Sequence, residues 1–255
     1  LSMLPRKRGK ISEWERHEKK YVRRRVKFSV KNGKNRGKSG IFAIVTLFFL
    51  QRHQKQIMTN IFQEAIANRR SHYALKNESP ITDEEIINRV RFAVKHIPAA
   101  FNSQSTRVVV LLHEKHQRLW QITKDTLQAI VPAEAFGKTK EKIERSFQSG
   151  YGTLLFYEDQ RPVRKLMEQF PLYADNFPTW SEHTNAMHQF ALWTMLADAG
   201  FGASLQHYNP LIDERVAKEF NIPTDWKMIA QMPFGVAAGQ PDEKTFLPID
   251  DRVLI

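Results

Sequence analysis

Residues 68–75 read NRRSHYAL, and the pair Arg69 and Arg70 followed by Ser71 offers forked guanidinium donors and a hydroxyl suited to a phosphate or a carboxylate. The competing explanation is that a basic pair at a helix end simply complements the helix dipole. Residues 99–107, AAFNSQSTR, present Asn102, Ser103, Gln104 and Ser105 together. Such a loop can hydrogen-bond a planar heterocycle, with ordinary polar turn chemistry as the alternative. Residues 202–204, Gly-Ala-Ser, are small enough for a flat ligand to approach the backbone. Other chemistries lack their residues. The chain has no cysteine, which excludes disulfides, thiolate metal sites, Fe–S ligation by Cys and Cys nucleophiles. Redox chemistry would therefore have to be carried by a bound cofactor, most simply an organic one. His113 and His116 stand three apart in HEKH, but no carboxylate is placed to complete a metal set. No GxSxG, P-loop or Rossmann fingerprint is present: GFGAS at 200–204 lacks a third glycine and follows a helix.

These stretches need elements to position them. Over residues 186–199 most positions are apolar, with Ala186, Phe190, Trp193 and Ala197 on one helical face and Met187, Ala191, Met195 and Ala199 beside them. So wide an apolar surface predicts a buried helix, capped at Ser181 and stopped by a left-handed Gly200. Asn60 with Gln63 opens a helix running to about Arg69. Thr82 with Glu85 forms a stronger capping box for a helix marked by Ile86, Val90, Val94 and Ile97 and ended by Pro98. Further helices are expected at 120–127, 139–147, 164–170 and 213–220, the last capped by Asp213. Residues 107–112, RVVVLL, and 153–157, TLLFY, read as buried strands, and 227–231 with 234–238 as a third strand and its continuation. Helices alternating irregularly with few strands predict one α+β domain over 58–255, a central mixed sheet packed between helices around the long buried one.

The formal charge of +12 is unevenly distributed. Residues 1–57 carry 17 Lys and Arg against three Glu, a net of +14, whereas 58–255 carry 22 basic against 24 acidic residues, a net of −2. The basicity belongs to the extension, so no nucleic-acid binding is expected of 58–255. Residues 31–40, KNGKNRGKSG, read as solvated and disordered. Organised sequence begins right after Met58, which is the expected natural start, with the preceding 57 residues not native. The alternative is an arm that binds nucleic acid or anionic lipid. The apolar run at 41–50 is about half the length that crosses a bilayer as a helix, and no small-residue cleavage site follows it. The expected location is therefore the cytoplasm, with no membrane association.

Taken in order, NRRSHYAL, FNSQSTRVVVLL and the block from FPLYADNFPTWSEHTNAMHQFALW to GASLQHYNPLID resemble the nitroreductase family of FMN-dependent oxidoreductases. The likeness is to its short branch of fungal fatty-acid-repression-mutant proteins and bacterial copper-induced nitroreductases; it covers nearly all of 58–255 and none of 1–57. The resemblance implies a homodimer with two FMN molecules at the subunit interface, reduced by NADH or NADPH and oxidised by small flat acceptors such as nitroaromatics or quinones, in oxidative or chemical stress defence. It implies that Arg69, Arg70 and Ser71 meet the phosphate, ribityl or pyrimidine side of the flavin, and that Asn102 and Gln104 reach it from the neighbouring subunit. Leu205, Gln206 and His207 would bring a backbone N–H toward N5, and Arg252 would complete the phosphate site. Tyr73 stands where many relatives have a lysine, and Ser105-Thr106 where they have Pro-Trp. The aromatics of the proline-punctuated segment 170–180, Tyr173 and Phe177 above all, would either sandwich a planar substrate or cover the dimer core. A flavin-binding protein of regulatory or stress-related role with poor turnover is the rival reading.

Overall fold

The capping box read at Thr82 and Glu85 closes as expected: the Glu85 N–H donates to Thr82 Oγ1 at 3.3 Å, and the Thr82 N–H to the Glu85 carboxylate at 2.8 Å. These bonds satisfy two donors that the helix ladder leaves free and fix the start of helix α2 (Asp83–His96). This computed structural model describes residues 61–255; the basic extension, the apolar run at 41–50 and the start expected at Met58 lie outside the described residues. Ahead of α2 come helix α1 at 61–68 and the short strand β1 (Leu75–Lys76). After it follow β2 (Thr106–Leu112), α3 (His113–Gln128), α4 (Ala133–Ile143), β3 (Gly152–Asp159), α5 (Gln160–Gln169), α6 (Phe177–Asp198), β4 (Gly202–Ala203), α7 (Asp213–Phe220) and β5 (Trp226–Ala237). No helix among the described residues is long and apolar enough to cross a membrane.

The sheet runs β1-β5-β3-β2, with β4 also paired to β5. Every ladder is antiparallel, and the parallel pairing that makes the sheet mixed is a single bridge between Ser71 and Ala203. β3 is central and buried along its whole length, whereas β2, at the edge, is only half-buried, less than its β-branched run led us to expect. Alternation along β3 builds two cores. Leu154 and Phe156 pack with Ile86, Val90, Leu192 and Leu196 of α2 and α6. Leu155 and Tyr157 pack with Leu119, Trp120 and Val216 of α3 and α7 on the opposite face. The sheet thus lies between two helical layers, the expected α+β arrangement.

Helix α6 corrects two sequence expectations. It begins at Phe177 with Pro178 in its first turn, and the Ser181 hydroxyl, inside the helix, donates to the Pro178 carbonyl at 2.7 Å instead of capping. The helix does stop as expected, with Gly200 at a φ of +93°. Its buried face is polar over the first half. Asn185 Nδ2 donates to the Tyr157 carbonyl at 3.1 Å and to Glu158 Oε1 at 2.9 Å, and Gln189 Nε2 donates to Asn185 Oδ1 at 2.6 Å. The carboxylate of Glu158, fully buried at the end of β3, also accepts from the Thr106 hydroxyl. A buried carboxylate needs donors, so the amides turn inward and Met187 and Phe190 are left 42% and 41% exposed.

The small residues after Gly200 answer to packing. A Cβ on Gly202 would meet the His72 Cβ at 2.9 Å and the Ala237 Cβ at 3.0 Å. Gly202, Ala203 and Ser204 are buried beneath neighbouring chain, so no ligand reaches this backbone from outside. Asp213 is likewise not a cap: it is the first residue of α7 and makes no capping hydrogen bond.

Candidate functional site

Arg69, just past α1, is half-buried. Its guanidinium carbon lies 4.3 Å from the ring centroid of Trp193 on α6. Arg69 Nε and Trp193 Nε1 are both covered and without a hydrogen-bond partner. Burial, and then the neighbouring Arg70, hold the Arg69 pKa below the ordinary guanidinium value. Arg70 Nη2 donates to the Asp242 carbonyl. Ser71 is fixed by its bridge to Ala203, and the His72 N–H donates to the Ala203 carbonyl at 2.9 Å. Residues 69–74 and the chain at 239–245 enclose a cleft of about 520 Å³ whose lining carries Arg69, Arg70 and Lys244 against Asp242 and Glu243. A cleft with more cations than carboxylates and a half-buried guanidinium whose covered Nε lacks a partner among the described residues can take an anionic group of a ligand.

The remaining expected residues are distributed. Asn102 and Gln104 lie on the loop before β2, at the opposite edge of the sheet from β1, so one chain does not bring them to the Arg69 cleft. They are exposed, and with Phe101 they hold left-handed φ values of 47–53°, costly for residues other than glycine. The Phe101 ring is held by its neighbours: its centroid is 5.0 Å from that of Phe170, 5.2 Å from Phe177, 6.0 Å from a nearly parallel Trp180 and 6.2 Å from Tyr173. The aromatics of 170–180 therefore brace the Asn102 loop. Phe177 is 2% exposed and Tyr173 46%, so Tyr173 presents ring surface to a ligand and Phe177 does not; Phe170 and Phe101 are exposed beside Tyr173. Ser105 and Thr106 are buried.

In the 205–208 segment the Gln206 N–H donates to the Gln231 carbonyl at 2.7 Å and the Tyr208 N–H to Gln231 Oε1 at 2.7 Å. Those two amides are committed to the protein; the Leu205 and His207 amides have no acceptor among the described residues. Arg252 lies on the exposed C-terminal stretch, beyond the cleft. Trp193 and Lys244 were missed by sequence reasoning. Trp193 reads as one more apolar position on a core helix, and Lys244 sits in a segment without periodicity. The two histidines of HEKH diverge: His113 Nε2 is 2.7 Å from Asp83 Oδ2 at the surface, while His116 is buried with Nδ1 2.8 Å from Thr153 Oγ1.

A family model described as Nitroreductase family matches residues 66–236. The chain is 35% identical over 191 residues to nitroreductase FRM2 of Saccharomyces cerevisiae, an alignment covering 74% of this chain and 94% of that protein. Among solved structures, the nitroreductase CinD of Lactococcus lactis in complex with nicotinic acid matches with a TM-score of 0.70 and 43% identity, covering 76% of this chain and 98% of CinD. CinD in complex with 4-nitrophenol matches with a TM-score of 0.67 and 42% identity over the same shares. With the family model spanning most of the described fold and these relatives covered almost end to end, this chain belongs to the nitroreductase family, and its activity is that of an oxidoreductase.

Proposed function

We propose that the protein is an FMN-dependent oxidoreductase that takes electrons from NADH or NADPH and passes them to small flat acceptors, nitroaromatics or quinones, and that it works as a homodimer. The observation that carries this reading is Arg69: a half-buried cation with a covered, partnerless Nε, stacked on Trp193 in a cleft with two further cations. Buried polar groups are nearly always hydrogen-bonded, so this one calls for an acceptor from outside the described residues. An anionic, planar-ringed cofactor fits the residues present. When bound, FMN supplies the two-electron redox chemistry that no side chain of this cysteine-free chain provides.

The residues of this chain then have binding and orienting roles. Arg69 and Arg70 hold the anionic side of the cofactor, with the Ser71 hydroxyl as a neutral donor beside them. The free Leu205 and His207 amides are the donors left in the segment that the family resemblance brings toward the ring. Asn102 and Gln104 complete the site from the second copy, a reading supported by their place at the far edge of the sheet from the Arg69 cleft. CinD holds 4-nitrophenol and nicotinic acid in its solved complexes, and small flat aromatics of that kind suit the exposed ring of Tyr173. The test is direct. Purified protein should be yellow and release FMN on denaturation, and it should oxidise NADH or NADPH rapidly when a nitroaromatic is added. A colourless protein that gains no flavin from added FMN would overturn the reading, whereas bound FMN with negligible turnover would favour a flavin-binding protein of another role.

A further inference from the structure

The loop that carries Asn102 and Gln104 is a costly conformation held in place. Phe101, Asn102 and Gln104 have φ values of 53°, 51° and 47°, each unfavourable for a residue with a Cβ. Strain so concentrated persists only where the surroundings over-determine it. One restraint is the ring cluster around Phe101, which grips the loop ahead of Asn102.

The other restraint is Arg107, which acts on Gln104. Its Nη1 donates to the Gln104 carbonyl at 2.6 Å and to the Thr106 carbonyl at 3.1 Å, and its Nη2 donates to Asp159 Oδ2 at 3.0 Å. One planar guanidinium thus ties a left-handed residue of the loop to the end of β3. Its carbon also lies 5.8 Å from the ring centroid of Trp226, at the start of β5. The carboxylate at the other end is itself fixed. Asp159 is 1% exposed and accepts from the Arg161 backbone N–H at 3.1 Å, from its Nε at 2.9 Å and from its Nη2 at 2.7 Å. The Arg161 guanidinium above all holds the Asp159 pKa down at about 2, so the group is ionised at neutral pH. The Asp159 N–H donates to the Ser105 carbonyl at 3.0 Å, which binds the residue after Gln104 to the same point.

We infer that Arg107 is a positioning residue for the cofactor: anchored on Asp159, it fixes the backbone of Gln104 and thereby presents the Gln104 side chain to the flavin. The inference rests on the reading of Gln104 as a cofactor contact. Lysine would keep a charge opposite Asp159, but a single ammonium on a flexible stem does not hold a carbonyl and a carboxylate in one plane.

FMN affinity and Tm, measured on the full chain by fluorescence titration and thermal melting, test it in Arg107→Lys, Gln104→Ala, the two combined, and Arg161→Ala. Arg107→Lys should weaken FMN binding about five- to tenfold. Its fall in Tm should be no larger than that of Arg161→Ala, whose side-chain bonds are to Asp159 and not to the loop and which should bind FMN as the wild type does. Added to Gln104→Ala, Arg107→Lys should cost little further affinity, because the side chain it positions is already gone. Where Arg107→Lys does not fold, Arg107→Gln takes its place in the same cycle. Wild-type affinity in Arg107→Lys beside weakened binding in Gln104→Ala would overturn the positioning role alone. Wild-type affinity in Gln104→Ala would overturn the cofactor reading of the loop, and this role with it. Additive losses in the double variant, or an equal loss in Arg161→Ala, would leave Arg107 as general support of the fold and overturn the inference.

Discussion

The Arg69 guanidinium stands 4.3 Å from the Trp193 ring centroid, which joins the chain after α1 to the last third of α6 and leaves both residues with a covered nitrogen that has no partner among the described residues. The arginine is thereby held in one orientation before any ligand arrives. A charge-assisted hydrogen bond contributes about 1.5–3 kcal/mol, so Arg69→Ala should weaken FMN binding by roughly ten- to a hundredfold. Trp193→Leu removes the stacking on Arg69, about 0.5–2 kcal/mol, and should cost several-fold in FMN affinity, with some loss of core packing besides. Fluorescence titration of FMN into the folded variants measures both. Unchanged affinity in Arg69→Ala would return that residue to complementing the end of α1.

Tyr173 and Phe177 should separate experimentally. Phe177 is buried against Phe101 and Trp180, and emptying such a position costs about 3–5 kcal/mol. Phe177→Ala should therefore lower Tm steeply and, by loosening the Asn102 loop, weaken FMN binding as well. Tyr173→Ala removes a half-exposed ring and should raise KM for a nitroaromatic with Tm and FMN content nearly unchanged. A KM untouched by Tyr173→Ala would place the acceptor pocket elsewhere.

What the sequence disclosed depended on how local the signal was. The Thr82–Glu85 capping box, the Gly200 stop and the run TLLFY are set by neighbouring residues, and each is found as read. Helices α3 and α4 start at His113 and Ala133, well before their expected starts at 120 and 139; the first turns of α3, HEKHQR, are too polar to show apolar periodicity, and in α4 Gly137 interrupts the pattern. Phe190 was placed on a buried face. What turns α6 the other way is the Glu158 carboxylate, 27 residues from Asn185 in sequence, which no local pattern reveals. The site was legible as motifs but not as geometry. That Arg69 and Asn102 stand at opposite sheet edges follows only from the strand order.

His116 gives the protein an acid-sensitive element. Trp120 Nε1 donates to Thr153 Oγ1 at 3.0 Å, and the Gln148 carbonyl, which can only accept, lies 3.2 Å from His116 Nε2. The proton is therefore on Nε2, and Nδ1 accepts from the Thr153 hydroxyl, a pattern that suits the neutral ring. Burial holds the folded pKa down at about 4, against 6.5 for the free side chain. Between those values the unfolded chain binds the extra proton, so this contribution is complete above pH 6.5 and is lost as pH falls toward 4, up to about 3 kcal/mol in all. Denaturant titrations from pH 7 to pH 4 should show the loss, and His116→Gln should flatten it. An equally steep dependence in the variant would assign the acid sensitivity to other groups.

The last expectation concerns assembly. The cleft holding Arg69 lies at the β1 edge, whereas Asn102 and Gln104 precede β2 at the other, so a site using all three needs two copies. The outer face of α6 is suited to bring them together, because Met187 and Phe190 are exposed there while amides occupy the inner face. Adjacent exposed apolar side chains on an otherwise well-packed helix mark an interaction surface, and identical copies associate most simply about a two-fold axis. Light scattering should give the mass of a dimer. Phe190→Asp, which sets a charge in that face without touching the core, should shift the protein toward monomer and lower FMN affinity in parallel. A dimer that persists in Phe190→Asp would move the interface off α6. A wild-type monomer retaining full FMN affinity would show that Asn102 and Gln104 take no part in the site.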